Sequence, residues 1–495
     1  MAPQPLALRR IDIPFTQRPI KHTPIVDRPD GTSLIPGLSD LHTHTTLGVI
    51  FESAQLIDVK ECKTVDALIE KLKEYRDRTI IVACNVDTNA IPILTREALD
   101  QVSSDVPVLL FDPSYHGGWL NTKAMQSIAE AAKSSEGKFV GHLDEHGHWT
   151  EQYLYFCLSL VGQTLGEERL TQGILHWLAD QLRHGTVRIH EMDIGDMFSL
   201  RCLVNAREEW DRRLPDLPFP VKELYAPPAV VMALETEPYL KIKVRRYFNM
   251  GPIRLKLYAD GAIGSRTACL TRPYVGEDRA GILVNTPENL RDLLATLPEI
   301  GGIAIHAIGD KGIKKALEMA ELAYWLRRLP TRIEHFEISG DHSILDASRD
   351  SVQGVSIQPP FIKDIGNYHS RLGDRVNQIN PVAKILDLGI PVNFGTDDIA
   401  ADYPAPRMIQ ALSQAVCHPV EEHRIPLEVA VSIAATHEFY RDDDGLDVGS
   451  LVVVDSAVLA AMRERVLTLA EAKAGIRQVI YHGYDVKDLV RILRG

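Results

Sequence analysis

The feature that most constrains the fold of this 495-residue chain is an alternation of strand-like and helix-like segments after residue 170. Apolar residues at helical spacing, such as Ile313, Leu317, Ala320 and Tyr324, separate short apolar runs with strand character. Strands that alternate with helices at intervals of about 20–50 residues indicate βα units around a parallel sheet. The strand-like runs are 186–190, 253–258, 302–306, 331–335, 355–358 and 391–394.

Composition excludes several classes of partner. The chain carries a net charge of −13 with 45% hydrophobic and 24% charged residues, as in ordinary globular proteins. An acidic balance argues against general binding to nucleic acid, which requires a basic face. The uncharged stretch 152–166 is shorter than the ~20 residues that span a bilayer, so no membrane partner is expected. Six scattered cysteines without a C-x-x-C pair, and a start without a signal-peptide core, favour the cytoplasm.

The sharpest local motif is His42-Thr43-His44. Residues i and i+2 of a strand project to the same side, so the two imidazoles would converge on one point. At the carboxyl end of a barrel strand, that point would lie in the mouth where barrel active sites are built. Two structural histidines remain the alternative for this motif taken by itself.

The later strand-like runs make that alternative weaker. They end at, or lead directly to, residues able to bind a metal or act as an acid: Lys256, His306, His335 and Asp397. Packing does not explain an ordered set of this kind. Neutral imidazoles and a carboxylate suit zinc or a similar divalent ion. The set therefore indicates a functional site at the carboxyl ends of the strands, built from residues that could bind a metal or act as an acid.

This order of residues resembles the amidohydrolase superfamily of metal-dependent hydrolases. In the detailed sequence of its motifs, the chain is similar to the amidohydrolase-3, or YtcJ-like, branch, which includes N-substituted formamide deformylases. The resemblance covers about residues 33–440, and the K-x-x-x-D-G and H-A-I-G-D stretches are its most specific parts. The matching stretches are 36–44, 99–107, 116–121, 256–268, 306–310, 332–335 and 395–397.

The resemblance implies an α/β fold, a (β/α)8 TIM-type barrel, with a divalent metal centre, most simply one or two Zn²⁺. His42 and His44 would lie at barrel strand 1, and the remaining ligands at later strands: Lys256 at strand 4, His306 at strand 5, His335 at strand 6 and Asp397 at strand 8. Lys256 would be a ligand only as a carbamate, since a plain ammonium repels a metal ion. A salt bridge from Lys256 to an acid such as Asp260 is the alternative.

The same resemblance implies hydrolysis of a C–N bond, of the amide or formamide type, in a small molecule by a metal-bound hydroxide. Asp397 would accept the proton of the water and return it to the leaving nitrogen. An esterase, lactonase or phosphotriesterase in the same barrel is the first alternative, because the same nucleophile attacks several electrophiles. A metal-free binding or regulatory protein is the second. A homodimer is left open.

The predicted domains are a barrel over 39–436 with an insertion at about 50–170, and a small β-rich subdomain built from 1–38 and 437–495. The first 35 residues are proline-rich, and the family usually has a longer segment there, so the subdomain is expected to be reduced or rebuilt. The tail predicts strands at 450–454 and 478–481 with a helix at 457–473 between them. Within the insertion, 64–75 predicts an amphipathic helix, and the stretch after it looks irregular.

Further residues are weaker candidates. His116, Trp119 and Asn121 match a family segment near the substrate, although a packed surface loop is the alternative. Asp260 is expected to shape the substrate pocket, and Glu334 could orient a ligand imidazole. The histidines of 141–148 could form a second metal site, but we favour a solvated loop. Three residues that follow the second strand could contact the metal ligands without binding the metal themselves: His190, Glu191 and Asp193.

Overall fold

The fold is taken from a computed structural model of the chain. The structure describes residues 24–87, 90–91, 93–113, 115, 117–134, 141–151, 153–248, 251–338, 340, 350–398, 407–435 and 450–494. Its strands, in chain order, are β1 (Val26–Asp27), β2 (Thr32–Pro36), β3 (Leu38–Thr43), β4 (Ile57–Asp58), β5 (Ile81–Cys84), β6 (Val108–Phe111), β7 (Gly117–Leu120), β8 (Gly141–Leu143), β9 (His148–Glu151), β10 (Thr186–Glu191), β11 (Val221–Ala226), β12 (Arg254–Tyr258), β13 (Ile303–Ala307), β14 (Thr331–His335), β15 (Val352–Ile357), β16 (Val392–Phe394), β17 (Leu451–Asp455), β18 (Ile476–Tyr481) and β19 (Tyr484–Asp485).

The helices of the described residues fall between these strands. They are α1 (Thr45–Ala54), α2 (Val65–Lys73), α3 (Arg96–Asp100), α4 (Thr122–Ser134), α5 (Tyr153–Leu165), α6 (Glu167–Arg183), α7 (Met197–Arg213), α8 (Pro228–Leu234), α9 (Pro238–Tyr247), α10 (Pro287–Thr296), α11 (Asp310–Arg327), α12 (Ile365–Leu372), α13 (Val382–Asp387), α14 (Met408–Val416), α15 (Leu427–Ala435), α16 (Ser456–Met462), α17 (Leu469–Ala474) and α18 (Val486–Arg494). None of the helices in the described ranges is long and apolar enough to cross a membrane.

Eight strands form the central sheet, in the order β16-β15-β14-β13-β12-β11-β10-β3. Each recorded pair in this sheet is parallel, and the helices that connect the strands pack around it. The Asp397 N–H donates to the carbonyl oxygen of His42 at 2.8 Å, which ties the chain after the last strand to β3. The predicted (β/α)8 barrel is confirmed. The strand β11 had no sequence-based prediction, because the charged and polar residues of VKELYA hide its alternation.

The closure between the first and last strands requires a glycine. A Cβ atom at Gly395 would lie 2.4 Å from the Cβ of His42 and 2.8 Å from its backbone nitrogen and oxygen. The side chain of Asp40 reinforces this contact, since its Oδ1 accepts a 3.0 Å hydrogen bond from the Thr396 N–H. The backbones that carry His42 and Asp397 are therefore in direct contact.

The insertion is not irregular. It contains a six-stranded sheet, ordered β4-β5-β6-β7-β9-β8, in which the β4–β5–β6 pairs are parallel and the others are antiparallel. Its strands have only two to four residues, which is too short for a periodic pattern to be read. The expected helix at 64–75 is α2, for which the Thr64 hydroxyl accepts a hydrogen bond from the Ala67 N–H.

The two ends of the described chain meet in a third sheet. Strand β2 pairs with β17, and the full order is β1-β2-β17-β18-β19. Both predicted tail strands are present, as β17 and β18, but the predicted helix between them is divided into α16 and α17. The boundaries 1–38 and 437–495 stay a prediction, since 1–23 and 436–449 lie outside the described residues.

Candidate metal centre

A cavity of about 1140 Å³ opens at the carboxyl ends of the barrel strands. Its wall on one side is the rim of the barrel, and residues of the insertion, such as Asp112 and His148, form the wall on the other. Five of the six predicted metal ligands line it: His44, Lys256, His306, His335 and Asp397. His42 is fully buried directly beneath them, with its ring centroid 4.7 Å from that of His335.

Three of these residues offer ligand atoms close enough to share one ion. The ligand atoms of His42, His44 and Asp397 all lie within 4.8 Å of one another. The Oδ1 atom of Asp397 is 3.0 Å from Nε2 of His44 and 3.5 Å from Nε2 of His42. Two imidazoles and a carboxylate at these separations are a donor set suited to a divalent metal ion.

Unsatisfied buried atoms point to the same interpretation. Among the described residues, His42 Nε2 and His335 Nδ1 are buried and have no hydrogen-bond partner. Buried polar atoms are rarely left without a partner, because the lost hydration costs free energy. A cation shared by His42, His44 and Asp397 would satisfy the first of these atoms, so the residues present fit a metal ion.

Burial and local charge set the protonation states that a metal requires. Desolvation, together with the positive charge of Lys256, holds the pKa of His42 well below its usual value. Desolvation likewise lowers the pKa of His335, with the neighbouring His306 adding to the effect. Burial would raise the pKa of Asp397, but attraction to His42, His44 and Lys256 outweighs burial and lowers this pKa to about 2. At neutral pH this leaves His42 and His335 as neutral imidazoles and Asp397 as a carboxylate, whereas the hydrogen bond to Asp397 and its charge raise the pKa of His44.

Lys256 lies in β12 with its side chain in the cavity. It is only 1% exposed, and its Nζ atom lies over the Tyr258 ring, 5.3 Å from the ring centroid. Burial lowers the pKa of Lys256, although the charges of Glu334, Asp193 and Asp397 oppose that effect. Asp260 does not form an ion pair with Lys256, since its carboxylate is committed elsewhere.

His306 and His335 come from adjacent strands, and their ring centroids are 4.4 Å apart. The Nε2 atom of His306 is 3.1 Å from the carbonyl oxygen of Gly261, which can only accept, so Nε2 carries the proton. His335 has φ of 70° and Asp397 has φ of 52°. Left-handed backbone at residues other than glycine is uncommon and concentrates at functional sites.

A buried ion pair orients His42. Its Nδ1 atom lies 2.6 Å from Oε2 of Glu334, and Glu334 in turn is held by Arg332, whose Nε lies 2.9 Å from Oε1. All three side chains are completely buried. A carboxylate on Nδ1 leaves Nε2 directed at the metal position. The imidazole that Glu334 orients is therefore that of His42.

The adjacent aspartates that follow β16, Asp397 and Asp398, lie in different environments. Asp397 lines the cavity, whereas Asp398 accepts hydrogen bonds from Gln181 at 3.2 Å and from Arg407 at 3.1 Å. Arg407 also forms an ion pair with Asp180. Asp398 is therefore part of the contact between the barrel strands and the surrounding helices.

Two of the candidate substrate residues of the insertion, Trp119 and Asn121, are not among the described residues that line the cavity. Asn121 is fully buried, where its amide oxygen accepts from Val108 and Ala124 and its amide nitrogen donates to Ser103 and Val106. Trp119 packs in the core of the insertion with its ring 5.2 Å from that of His148. His116 lies outside the described residues. Contact of these residues with substrate stays a prediction, and the described contacts instead give Asn121 and Trp119 a structural role.

Asp260 is likewise directed into the protein. Its carboxylate accepts hydrogen bonds from the backbone N–H groups of Cys269, Ile308 and Gly309 at 2.8–2.9 Å. These bonds join the loop after β12 to the turn between β13 and α11. Asp260 is not among the residues that line the cavity, so it shapes the cavity only through the loops that it holds.

The histidine-rich segment 141–148 forms the β8–β9 hairpin. Its turn is exposed, as expected for a solvated segment, and Asp144 Oδ1 accepts from the backbone of His146 and His148. Two residues that had no sequence-based role do reach the cavity, namely Tyr155 of α5 and Tyr258 of β12. A tyrosine in a helix pattern or at a strand end carries no local signal that distinguishes it from a core residue.

An eight-stranded parallel barrel with histidines and an aspartate at its carboxyl rim defines a protein of the amidohydrolase type. The sequence profile of the amidohydrolase family matches residues 30–483, and the chain belongs to that family. Within it the chain belongs to the amidohydrolase-3, YtcJ-like branch: it is 25% identical over 404 residues to the putative amidohydrolase YtcJ of Bacillus subtilis, with 74% of this chain and 70% of the relative covered.

Another relative is the exoenzymes regulatory protein AepA of Pectobacterium carotovorum. The two are 22% identical over 317 residues, and the alignment covers 60% of this chain and 66% of that protein. Among solved structures, an uncharacterized metal-dependent hydrolase from Pyrococcus furiosus has 24% identity and a TM-score of 0.60, with 85% of this chain and 87% of that chain covered. A counterpart from Pyrococcus horikoshii has 22% identity and a TM-score of 0.63, with 85% and 86% covered. These structures support the fold.

Proposed function

We propose that this protein is a metal-dependent hydrolase that cleaves a C–N bond of the amide or formamide type in a small molecule. The observation that carries the proposal is the convergence of the ligand atoms of His42, His44 and Asp397, within 4.8 Å of one another, beside a large cavity. A donor set of this kind suits Zn²⁺ or a similar divalent ion. When bound there, the ion would polarise a substrate carbonyl and lower the pKa of a water molecule.

In this proposal the protein's own residues divide the work. His42 and His44 would hold the ion together with Asp397, and His306 and His335 line the same cavity as further candidate ligands. Glu334 keeps the Nε2 atom of His42 available by occupying Nδ1. Asp397 is ionised, so it accepts the proton of the attacking water and returns it to the nitrogen that leaves.

We further propose that Lys256 becomes a carbamate. Its neutral amine attacks CO₂ and loses a proton, which converts a buried cation into an anion with two oxygens that can bridge two metal ions. Support comes from its burial at the cavity wall and from the lowering of its pKa by that burial, which increases the neutral fraction of the amine. With the carbamate the site would hold two ions, and without it one.

Two measurements on the purified protein test the proposal. Metal analysis by plasma mass spectrometry should find one or two divalent ions per chain. A panel of N-formyl, N-acyl, ester and lactone compounds, assayed with added zinc and with a chelator, should show metal-dependent hydrolysis of an amide. Hydrolysis of esters or lactones alone would favour the alternative enzyme class. Hydrolysis that persists in metal-free protein would contradict the mechanism.

The name of the relative AepA suggests a metal-free regulatory role as an alternative. That role explains the composition of the site less well than metal-dependent hydrolysis does. Without an ion, the buried Nε2 atom of His42 would remain unsatisfied at a cost in free energy. Nothing in a regulatory role by itself requires a cluster of this composition. Absence of bound metal from protein purified without chelator would favour that role.

A further inference from the structure

Asp193 occupies a distinctive position beside the candidate metal centre. It follows β10, lines the cavity and is 8% exposed. Its φ is 78°, a left-handed conformation that costs free energy at a residue other than glycine. Its backbone N–H donates to the carbonyl oxygen of Tyr225 at 3.0 Å, so the strained conformation is held by the next strand.

Two tyrosines hold one oxygen of the Asp193 carboxylate. The hydroxyls of Tyr155, from the insertion, and Tyr258, from the barrel, both donate to Oδ2. Burial and the charge of Asp193 raise the pKa of Tyr258 well above its usual value, so this hydroxyl keeps its proton and can donate. The two hydrogen bonds fix the orientation of the Asp193 side chain.

The other oxygen is not satisfied. Oδ1 of Asp193 is buried and has no hydrogen-bond partner among the residues that the structure describes. A carboxylate oxygen only accepts, so whatever completes it must bring a donor. The residue borders the cavity, so the donor can come from a molecule that occupies the cavity.

Asp193 is also close to the candidate metal centre. It follows β10, which pairs with β3, the strand that carries His42. The N–H of Met192, the preceding residue, donates to the carbonyl oxygen of Thr43 at 2.8 Å, and Asp193 and His44 line the same cavity. A substrate in this cavity can therefore contact both Asp193 and the candidate metal centre.

We propose that Asp193 is a specificity-determining residue whose Oδ1 accepts a hydrogen bond from the N–H of a secondary amide substrate. The inference rests on the proposed function and adds the substrate class to it: amides that retain a hydrogen on the leaving nitrogen are preferred over tertiary amides and esters. Tyr155 and Tyr258 are positioning residues, because they act on substrate only through Asp193.

The variant that tests this is Asp193→Asn. Asparagine tolerates a positive φ, so the backbone is retained. Its amide oxygen can still accept from the two tyrosines, and its amide nitrogen then replaces the free acceptor with a donor. The probes are N-benzylformamide and N-benzyl-N-methylformamide, which differ only in that a methyl group replaces the hydrogen on nitrogen.

We expect the wild type, loaded with zinc, to favour N-benzylformamide by roughly 10- to 100-fold in kcat/KM, as for loss of a hydrogen bond to a charged group. In Asp193→Asn the ratio should fall to about one, with metal content unchanged. Tyr155→Phe should reduce the ratio by a smaller factor. The control is Asp196→Asn: Asp196 lines the same cavity, but its carboxylate accepts from the N–H groups of Phe198 and Ser199, so the ratio should not change.

Isothermal titration calorimetry with the same two compounds gives a readout independent of turnover. An equal loss for both compounds in Asp193→Asn would indicate a structural role and overturn the inference. A loss of metal would make Asp193 a ligand and also overturn it, and so would a wild type without preference in turnover or binding. If the wild type hydrolyses neither compound but binds N-benzylformamide more tightly in an Asp193-dependent way, the inference holds while the proposed function fails.

Discussion

At the scale of single residues, the end of β16 offers the sharpest test of the mechanism, because Asp397 faces the cavity and Asp398 faces Gln181 and Arg407. Asp397→Asn keeps the shape of the side chain but accepts a proton poorly. General acid–base groups typically contribute ~10²–10⁴-fold, so we expect turnover to fall by about that factor while most of the metal remains.

The matched control for Asp397→Asn is Asp398→Asn. That variant weakens a buried contact with Arg407, which keeps its second partner Asp180. We expect a lower melting temperature but near wild-type kcat per folded molecule. Assays of kcat, bound metal and melting temperature on both variants test whether Asp397 transfers the proton. A larger loss of kcat in Asp398→Asn would mean that the proton-transfer role is assigned to the wrong aspartate.

Lys256 gives a second prediction at this scale. Lys256→Ala should lose metal and activity, because it removes the proposed bridge. A short carboxylic acid such as acetate or propionate, added during metal loading, should restore part of both by supplying carboxylate oxygens in the vacated space. Native mass spectrometry of the intact wild type should show an increment of about 44 Da, the mass of CO₂, that is absent from Lys256→Ala. Full metal content in Lys256→Ala would contradict the bridge.

At the scale of elements, Asn121 joins the parts of the insertion. It connects the start of α4 to the loop before β6 through four hydrogen bonds, two accepted and two donated. Asn121→Ala leaves buried backbone groups unpaired, so we expect a loss of about 3 kcal/mol in the free energy of unfolding. Denaturant unfolding measures the loss.

The same variant separates structure from substrate contact. If Asn121 only supports the insertion, the folded fraction of Asn121→Ala should bind metal normally and keep its KM within about threefold, a change of less than 1 kcal/mol. A large rise in KM with unchanged stability would instead support the predicted contact with substrate. Thr122→Ala is the control, because Thr122 follows Asn121 in the chain and its hydroxyl donates a hydrogen bond to the carboxylate of Asp100 in α3.

At the scale of the whole molecule, the candidate metal centre connects strands that are far apart in the sequence. Residues of β3, β13 and β14 and the segment after β16 meet there, so a bound ion would cross-link both sides of the barrel closure. An ion that binds only the folded state stabilises it by about 4 kcal/mol when its free concentration is 1,000 times its Kd. We expect chelation to lower the melting temperature by several degrees and zinc to restore it.

The control for this prediction is His42→Ala, whose melting temperature should respond to neither chelator nor zinc. Scanning calorimetry with and without a chelator measures both proteins. An identical shift in the two would show that the ion acts at another place on the molecule.

Much of this arrangement could be predicted from the sequence, because strand and helix periodicity is local and the carboxyl ends of parallel strands share one rim. The H-x-H motif and the residues at the ends of β12, β13 and β14 therefore predict a common site from the sequence alone. Only the tertiary structure decided which side chains pair: Glu334 with His42, 292 positions away, and Asp193 with the tyrosines of two different elements. Such pairs depend on barrel closure and on strand register, which no local pattern records. The same reason explains why the sequence did not indicate that Asn121 and Asp260, polar residues within family motifs, hydrogen-bond to the backbone of neighbouring loops.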